Sequence, residues 1–237
     1  IDLVAAFRRT VADFRQNEAA STYLREFGVR DATLTIAHGD QETVWQIPGF
    51  AIDVQHFQKR SVIVGEGLIG STAGPWGLSF RTTESNKFKT LQIEIEFAEL
   101  VPRAIASQLA FLPGVSLIDM PVAGRASIAF ALDGGLVSAD LKVTPSRGHL
   151  HLPAALGGAV AVTGGALHLS YAAGERRLVV NPSELIWANS RGTFSGDLTP
   201  SRSGSEPWAV TLNSRDAVIE GLALSEAAIV GHFVPQT

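Results

Sequence analysis

TLQIEIEF, residues 90–97, decides the fold class. Leu91, Ile93, Ile95 and Phe97 fall on one side of an extended chain and Gln92, Glu94 and Glu96 on the other, because successive strand side chains point to opposite faces. A strand with one apolar and one wet face belongs in an antiparallel sheet that is solvated on one side.

The same period of two runs outward in both directions. Upstream, ATLTIAHGDQETVWQIP alternates at Leu34 and Ile36, turns at His38–Gly39–Asp40 and resumes from Val44 to Ile47. FAIDVQHF, SVIVGEGLIG and WGLSFRTT follow as short strands. Downstream, RASIAFALDGGLVSADLKVT places Asp133–Gly134–Gly135 between two alternating runs, a strong hairpin signal. GALHLSYAAGERRLVV turns at Ala173–Gly174–Glu175, and RGTFSGDL, EPWAVTLNS and DAVIEGLAL close the chain. Two of these hairpins echo each other as an apolar hairpin with a polar turn and then a proline, ending in QIP and in VVNP.

Helical spacing interrupts twice. DLVAAFRRTVADF sets Leu3, Phe7, Val11 and Phe14 on one helical face. ELVPRAIASQLAFL brings Leu100, Ile105, Leu109 and Leu112 near that spacing, with Pro102 tolerable in a first turn. The expected organisation is therefore an N-terminal helical segment over residues 1–27 and an antiparallel β domain over residues 28–237, with one short helix near residues 99–112.

Composition narrows the function classes. The chain has 237 residues, 46% of them hydrophobic, enough for a sizeable core. A net charge of −4, with scattered arginines and only Lys59, Lys87, Lys89 and Lys142 as lysines, leaves no basic patch for a nucleic acid. Cysteine is absent, which excludes disulfides, thiolate metal sites and a cysteine nucleophile. The longest apolar stretch, LAFLPGVSLIDMPVAG, is broken by Pro113, Asp119 and Pro121 and falls short of the roughly 20 residues a membrane helix needs. The chain opens at Ile1 and its one methionine is Met120, so it reads as a piece of a longer protein.

SVIVGEGLIG carries Gly65, Gly67 and Gly70 in the G-x-G-x-x-G spacing of a dinucleotide-binding turn, and Glu94 and Glu96 follow where a ribose ligand would sit. That chemistry needs a helix to start at once, so that its N-terminal amides meet the pyrophosphate. Here Gly74, Pro75 and Gly77 stand in its place, and a proline alone costs a helix interior about 3 kcal/mol. The glycines read instead as positions in a twisted or bulged strand. His149 and His151 share one strand face, but with His38, His56, His168 and His232 scattered they read as a solvated or capped pair. No G-x-S-x-G elbow exists around Ser71 or elsewhere. Asp133, Asp140 and Asp197 read as turn formers, and Trp45, Trp76, Trp187 and Trp208 as packing residues of strands. No catalytic, cofactor or metal constellation assembles, so the expectation is a protein that is not an enzyme.

VRDATLTIAHGDQETVWQIPGFAIDV resembles the opening of AsmA-like domains, and FAELVPRAIASQLAFLPGVSLIDMPVAGRASIAFALDGGLVSADLKV is similar to the unit that follows it there. GALHLSYAAGERRLVV with GTFSGDL is similar to the next unit, so the resemblance spans most of residues 20–225. It points to the branch of long bacterial envelope proteins of the YhdP and TamB type. What the resemblance implies is a periplasmic protein anchored in the inner membrane of a Gram-negative bacterium through a segment outside this chain. Its strands would curl into a trough whose apolar face carries phospholipid acyl chains between inner and outer membrane. The expected partners are then a phospholipid or other acyl lipid, neighbouring modules of the same longer chain and the inner membrane.

By alternation, the candidate lipid-groove residues are Leu34, Ile36, Leu91, Ile93, Ile95, Phe97, Ile128, Phe130, Leu167 and Leu169. The same alternation suits a closed sandwich core. The alternative is accordingly a structural or protein-interaction β module of the envelope that transports nothing.

Overall fold

In the computed structural model, residues 26–38, 41–57, 60–85, 89–108, 115–152, 158–175, 177–187, 190–199, 208–219 and 222–233 are described. The expected N-terminal helix over residues 1–27 lies almost wholly outside them, and its last two residues already belong to a strand.

The protein is mainly β. Its strands are β1 (Glu26–His38), β2 (Gln41–Phe57), β3 (Arg60–Ile69), β4 (Trp76–Ser85), β5 (Thr90–Leu100), β6 (Ile118–Asp119) and β7 (Val122–Ala131). β8 (Leu136–Pro145), β9 (Gly148–His151), β10 (Ala159–Ala172), β11 (Arg177–Trp187), β12 (Ser190–Thr199), β13 (Trp208–Ile219) and β14 (Leu222–Phe233) complete the set. They hydrogen-bond in the order β1-β2-β3-β4-β5-β7-β8-β10-β11-β12-β13-β14, an antiparallel sheet that does not close on itself. The two short strands stand off that path, β9 pairing with both β10 and β6. Among the described residues no helix is long and apolar enough to cross a membrane.

The chain divides into two compact units. The first contains β1 to β4, most of β5 and the stretch Ala126–Ser138 of the β7–β8 hairpin. Its buried cluster is built on Val54 of β2 and Ile63 of β3, with Ile52 and Phe80 packed against it. Val54 lies directly opposite Ile63 in the β2–β3 register, so the cluster is a cross-strand pair with flanking side chains. The second unit contains Ala98–Arg125 and Ala139–Thr237. Its buried apolar residues include Ile105, Met120, Val122, Val162 and Val180. There the short β6–β9 pairing continues the β7–β8 hairpin past an irregularity at Met120, bridged by the Ser146 amide donating to the Pro121 carbonyl at 2.8 Å.

Of the short helix expected near residues 99–112, the described part forms a single 3-10 turn. β5 runs on to Leu100, Glu99 takes a left-handed φ of 59°, and Pro102–Ile105 make that turn. Strand alternation through Leu91–Phe97 carries the backbone in extended form to the kink at Glu99. Pro102 opens the turn, where its missing N–H costs nothing, and Pro102 and Ile105 bury themselves as the turn closes. Residues 109–114 lie outside the described residues.

Candidate functional site

The G-x-G-x-x-G stretch is the middle strand of a three-strand patch, not a nucleotide turn. β3 ends at Ile69, a tight turn follows, and the chain re-enters the sheet as β4 at Trp76. The Ser71 hydroxyl is spent in that turn, donating to the Gly74 carbonyl at 2.6 Å and accepting the Ala73 amide at 3.2 Å. Gly65 and Gly67 are small because aromatic rings lie across them. Phe50 of β2 stands opposite Gly67, Phe80 of β4 opposite Gly65, and the two rings stack at 6.0 Å and 18°. A Cβ on Gly65 would run into the Phe80 ring and meet the Phe50 ring at 2.9 Å; one on Gly67 would meet the Phe50 Cα at 2.6 Å. Rings over glycines in a neighbouring strand cover backbone that would otherwise face solvent.

Six of the candidate groove residues share one face of the β5–β7 pair. On β5, Leu91 is fully buried, and Ile93, Ile95 and Phe97 are half-buried between exposed Gln92, Glu94 and Glu96. The Gln92 amide donates to the Ser127 hydroxyl of β7 at 3.4 Å, so these polar side chains share a face. Alternation then sends Ile93 and Ile128 to the other face, with Ile95, Phe97 and Phe130 in step with them. Leu34 sits opposite Trp45 near the turn end of the β1–β2 hairpin and is 46% exposed. Ile36 holds its register place opposite Thr43, and its side chain lies outside the described residues. Leu167 and Leu169 belong to the second unit, half-buried, with Leu169 opposite buried Val180. Leu91 is therefore a core residue, and the others whose side chains are described are incompletely covered.

The aspartates read as turn formers divide into one that is and two that are not. Asp133 is a turn former, its Oδ1 accepting the Gly135 amide at 3.0 Å. Asp140 and Asp197 are strand residues in ion-pair geometry: Asp140 Oδ2 lies 2.6 Å from His168 Nε2, and Asp197 Oδ1 accepts from Arg177 at 3.1 Å. His151 Nε2 lies 3.1 Å from Asp119 Oδ2, with the Arg103 guanidinium 3.9 Å from the same oxygen and the His149 ring 6.3 Å from that of His151. Among the described residues no three His, Asp or Glu side chains converge as a metal site would require.

Ser183 was not singled out by its sequence. Pro182 has no N–H for the β10–β11 ladder, whose register shifts between Ala166 and Leu169. Buried Ser183 fills the gap: its hydroxyl accepts the His168 amide at 3.0 Å and donates to the Asn181 carbonyl at 2.8 Å. A serine just after a mid-strand proline is the signal that could have found it.

No family model, curated protein or solved structure matches the chain. The chemistry open to it is thus read from its own side chains: aliphatic and aromatic faces left half-covered beside polar faces in water.

Proposed function

We propose that the chain is a non-enzymatic segment of a bacterial envelope protein similar to the AsmA-like family, whose apolar sheet face takes up phospholipid acyl chains. The observation that carries this reading is the incomplete cover over the β5–β7 face: Ile93, Ile95, Phe97, Ile128 and Phe130 all remain half-buried, and the helices among the described residues are two short 3-10 turns. Burying a large aliphatic side chain is worth about 1.5–3 kcal/mol, so each half-covered one leaves on the order of 1 kcal/mol for an acyl chain to gain. The polar face bearing Gln92 and Glu94 would stay in water. In this reading the parent protein is held at the inner membrane and faces the periplasm, passing lipid toward the outer membrane. The alternative, an envelope module with a closed core and no transport, is favoured locally by Leu91, which has no exposure left to offer a ligand.

Organic extraction and mass spectrometry of the purified chain test the proposal. Co-purified phospholipid is expected. Ile93→Asp and Ile95→Asp should leave the protein folded by circular dichroism and deplete the lipid at least severalfold. Absence of lipid from the unmodified chain, together with unfolding of both variants, would assign these residues to a dry core and sink the reading.

A further inference from the structure

β1 ends the strand order, so among the described residues its outer edge has no strand partner. Residues Glu26–Arg30 are all exposed, and the stretch presents two large apolar side chains, Phe27 at 38% and Val29 at 41% exposure. A bare edge of this kind is a template for another strand. Asp31 takes a left-handed φ of 48°, which interrupts the extended edge and ends the template at Arg30.

The charges on this edge are oddly placed for a free surface. Glu26 lies opposite Asp53 in the β1–β2 register, a like-charged neighbour, and Arg30 lies opposite Gly49. Neither Glu26 nor Arg30 forms an ion pair among the described residues. The two charges do complement each other across a two-fold axis. An antiparallel copy of EFGVR centred on Gly28 sets Glu26 against Arg30 twice and Phe27 against Val29 twice. Shifting the register by two residues loses both charge pairs. Shifting it by one throws the apolar side chains onto the wrong face. Phe27 and Val29 stand opposite Ile52 and Phe50 of β2, so the paired edges would continue an apolar face already present in each copy.

We propose that the β1 edge is a homodimer interface, occupied by β1 of a second copy of this chain in antiparallel register about Gly28. The charges that repel most strands from this edge select the one partner that mirrors them. The proposal does not depend on lipid binding.

Sedimentation of the 237-residue chain over a dilution series tests it, with a charge swap as the discriminating step. The unmodified chain should show a concentration-dependent monomer–dimer equilibrium. Glu26→Arg and Arg30→Glu each create two like-charge pairs across the axis and should raise the dissociation constant roughly tenfold. The double variant E26R/R30E exchanges the charges and should restore dimerisation. Both side chains are exposed, and Glu26→Arg places a cation opposite Asp53, so neither change threatens the fold. A chain that is monomeric at its highest soluble concentration overturns the proposal. So does a dimer indifferent to the single variants, or one the double variant fails to recover.

Discussion

At the scale of single residues, the glycines of SVIVGEGLIG show how a motif's letters can have one cause and its spacing another. Glycine is needed at a nucleotide turn because the backbone must approach a phosphate; here it is needed because Phe50 and Phe80 must lie flat across β3. The sequence carried enough to reject the nucleotide, since Pro75 and its glycines deny the following helix. It carried less about the rings, because Phe50 and Phe80 are distant in sequence and only the two flanking registers bring them over the same strand. Gly67→Ala, which forces Cβ toward Phe50 backbone, should destabilise the protein by about 1–3 kcal/mol in chemical denaturation. Gly49→Ala, whose Cβ would meet nothing within 4 Å, is the matched control and should change stability far less.

At the scale of elements, the period of two located most strands, and for a physical reason. A half-wet antiparallel strand writes its burial directly into alternate positions, as β5 does from Leu91 to Phe97. The helical interlude read over 99–112 starts later than its leucine spacing suggests for the converse reason: β5 runs in as far as Leu100, and the described helix is the 3-10 turn Pro102–Ile105. Phe27, read as the tail of a helical segment, is a strand residue because its partner Ile52 lies beyond the span a local pattern can sense. The two hairpins that echo each other both carry a proline in the second strand, Pro48 in β2 and Pro182 in β11. Both leave a break in the register, at Pro48 opposite Asp31 and around Pro182. In β11 the break is sealed by Ser183, so Ser183→Ala should strand the His168 amide without an acceptor. A loss of about 1 kcal/mol is expected in thermal or denaturant unfolding, the cost of a part-buried donor left without its acceptor.

At the scale of the whole molecule, candidate residues chosen by alternation alone divide into one that is core, Leu91, and several that remain half-covered. Alternation names the face a side chain takes; cover depends on what the rest of the chain lays over that face, which no local pattern encodes. Hydrogen exchange offers a direct map of this division. Amides around Val54 and Ile63, and around Val162 and Val180, should exchange slowest, and in dilute solution those of Glu26–Arg30 fastest among the strands. The strand order has a further consequence in time. Nearly every strand pairs with its immediate sequence neighbour, so each new hairpin can close on the previous one by a short loop without waiting for a distant segment. A chain emerging from the ribosome could therefore add strands one at a time, each newly exposed edge serving as template for the next. Along the described strands such growth would run from β1 to β14, and the outer edge of β1 is one that no later described strand takes up.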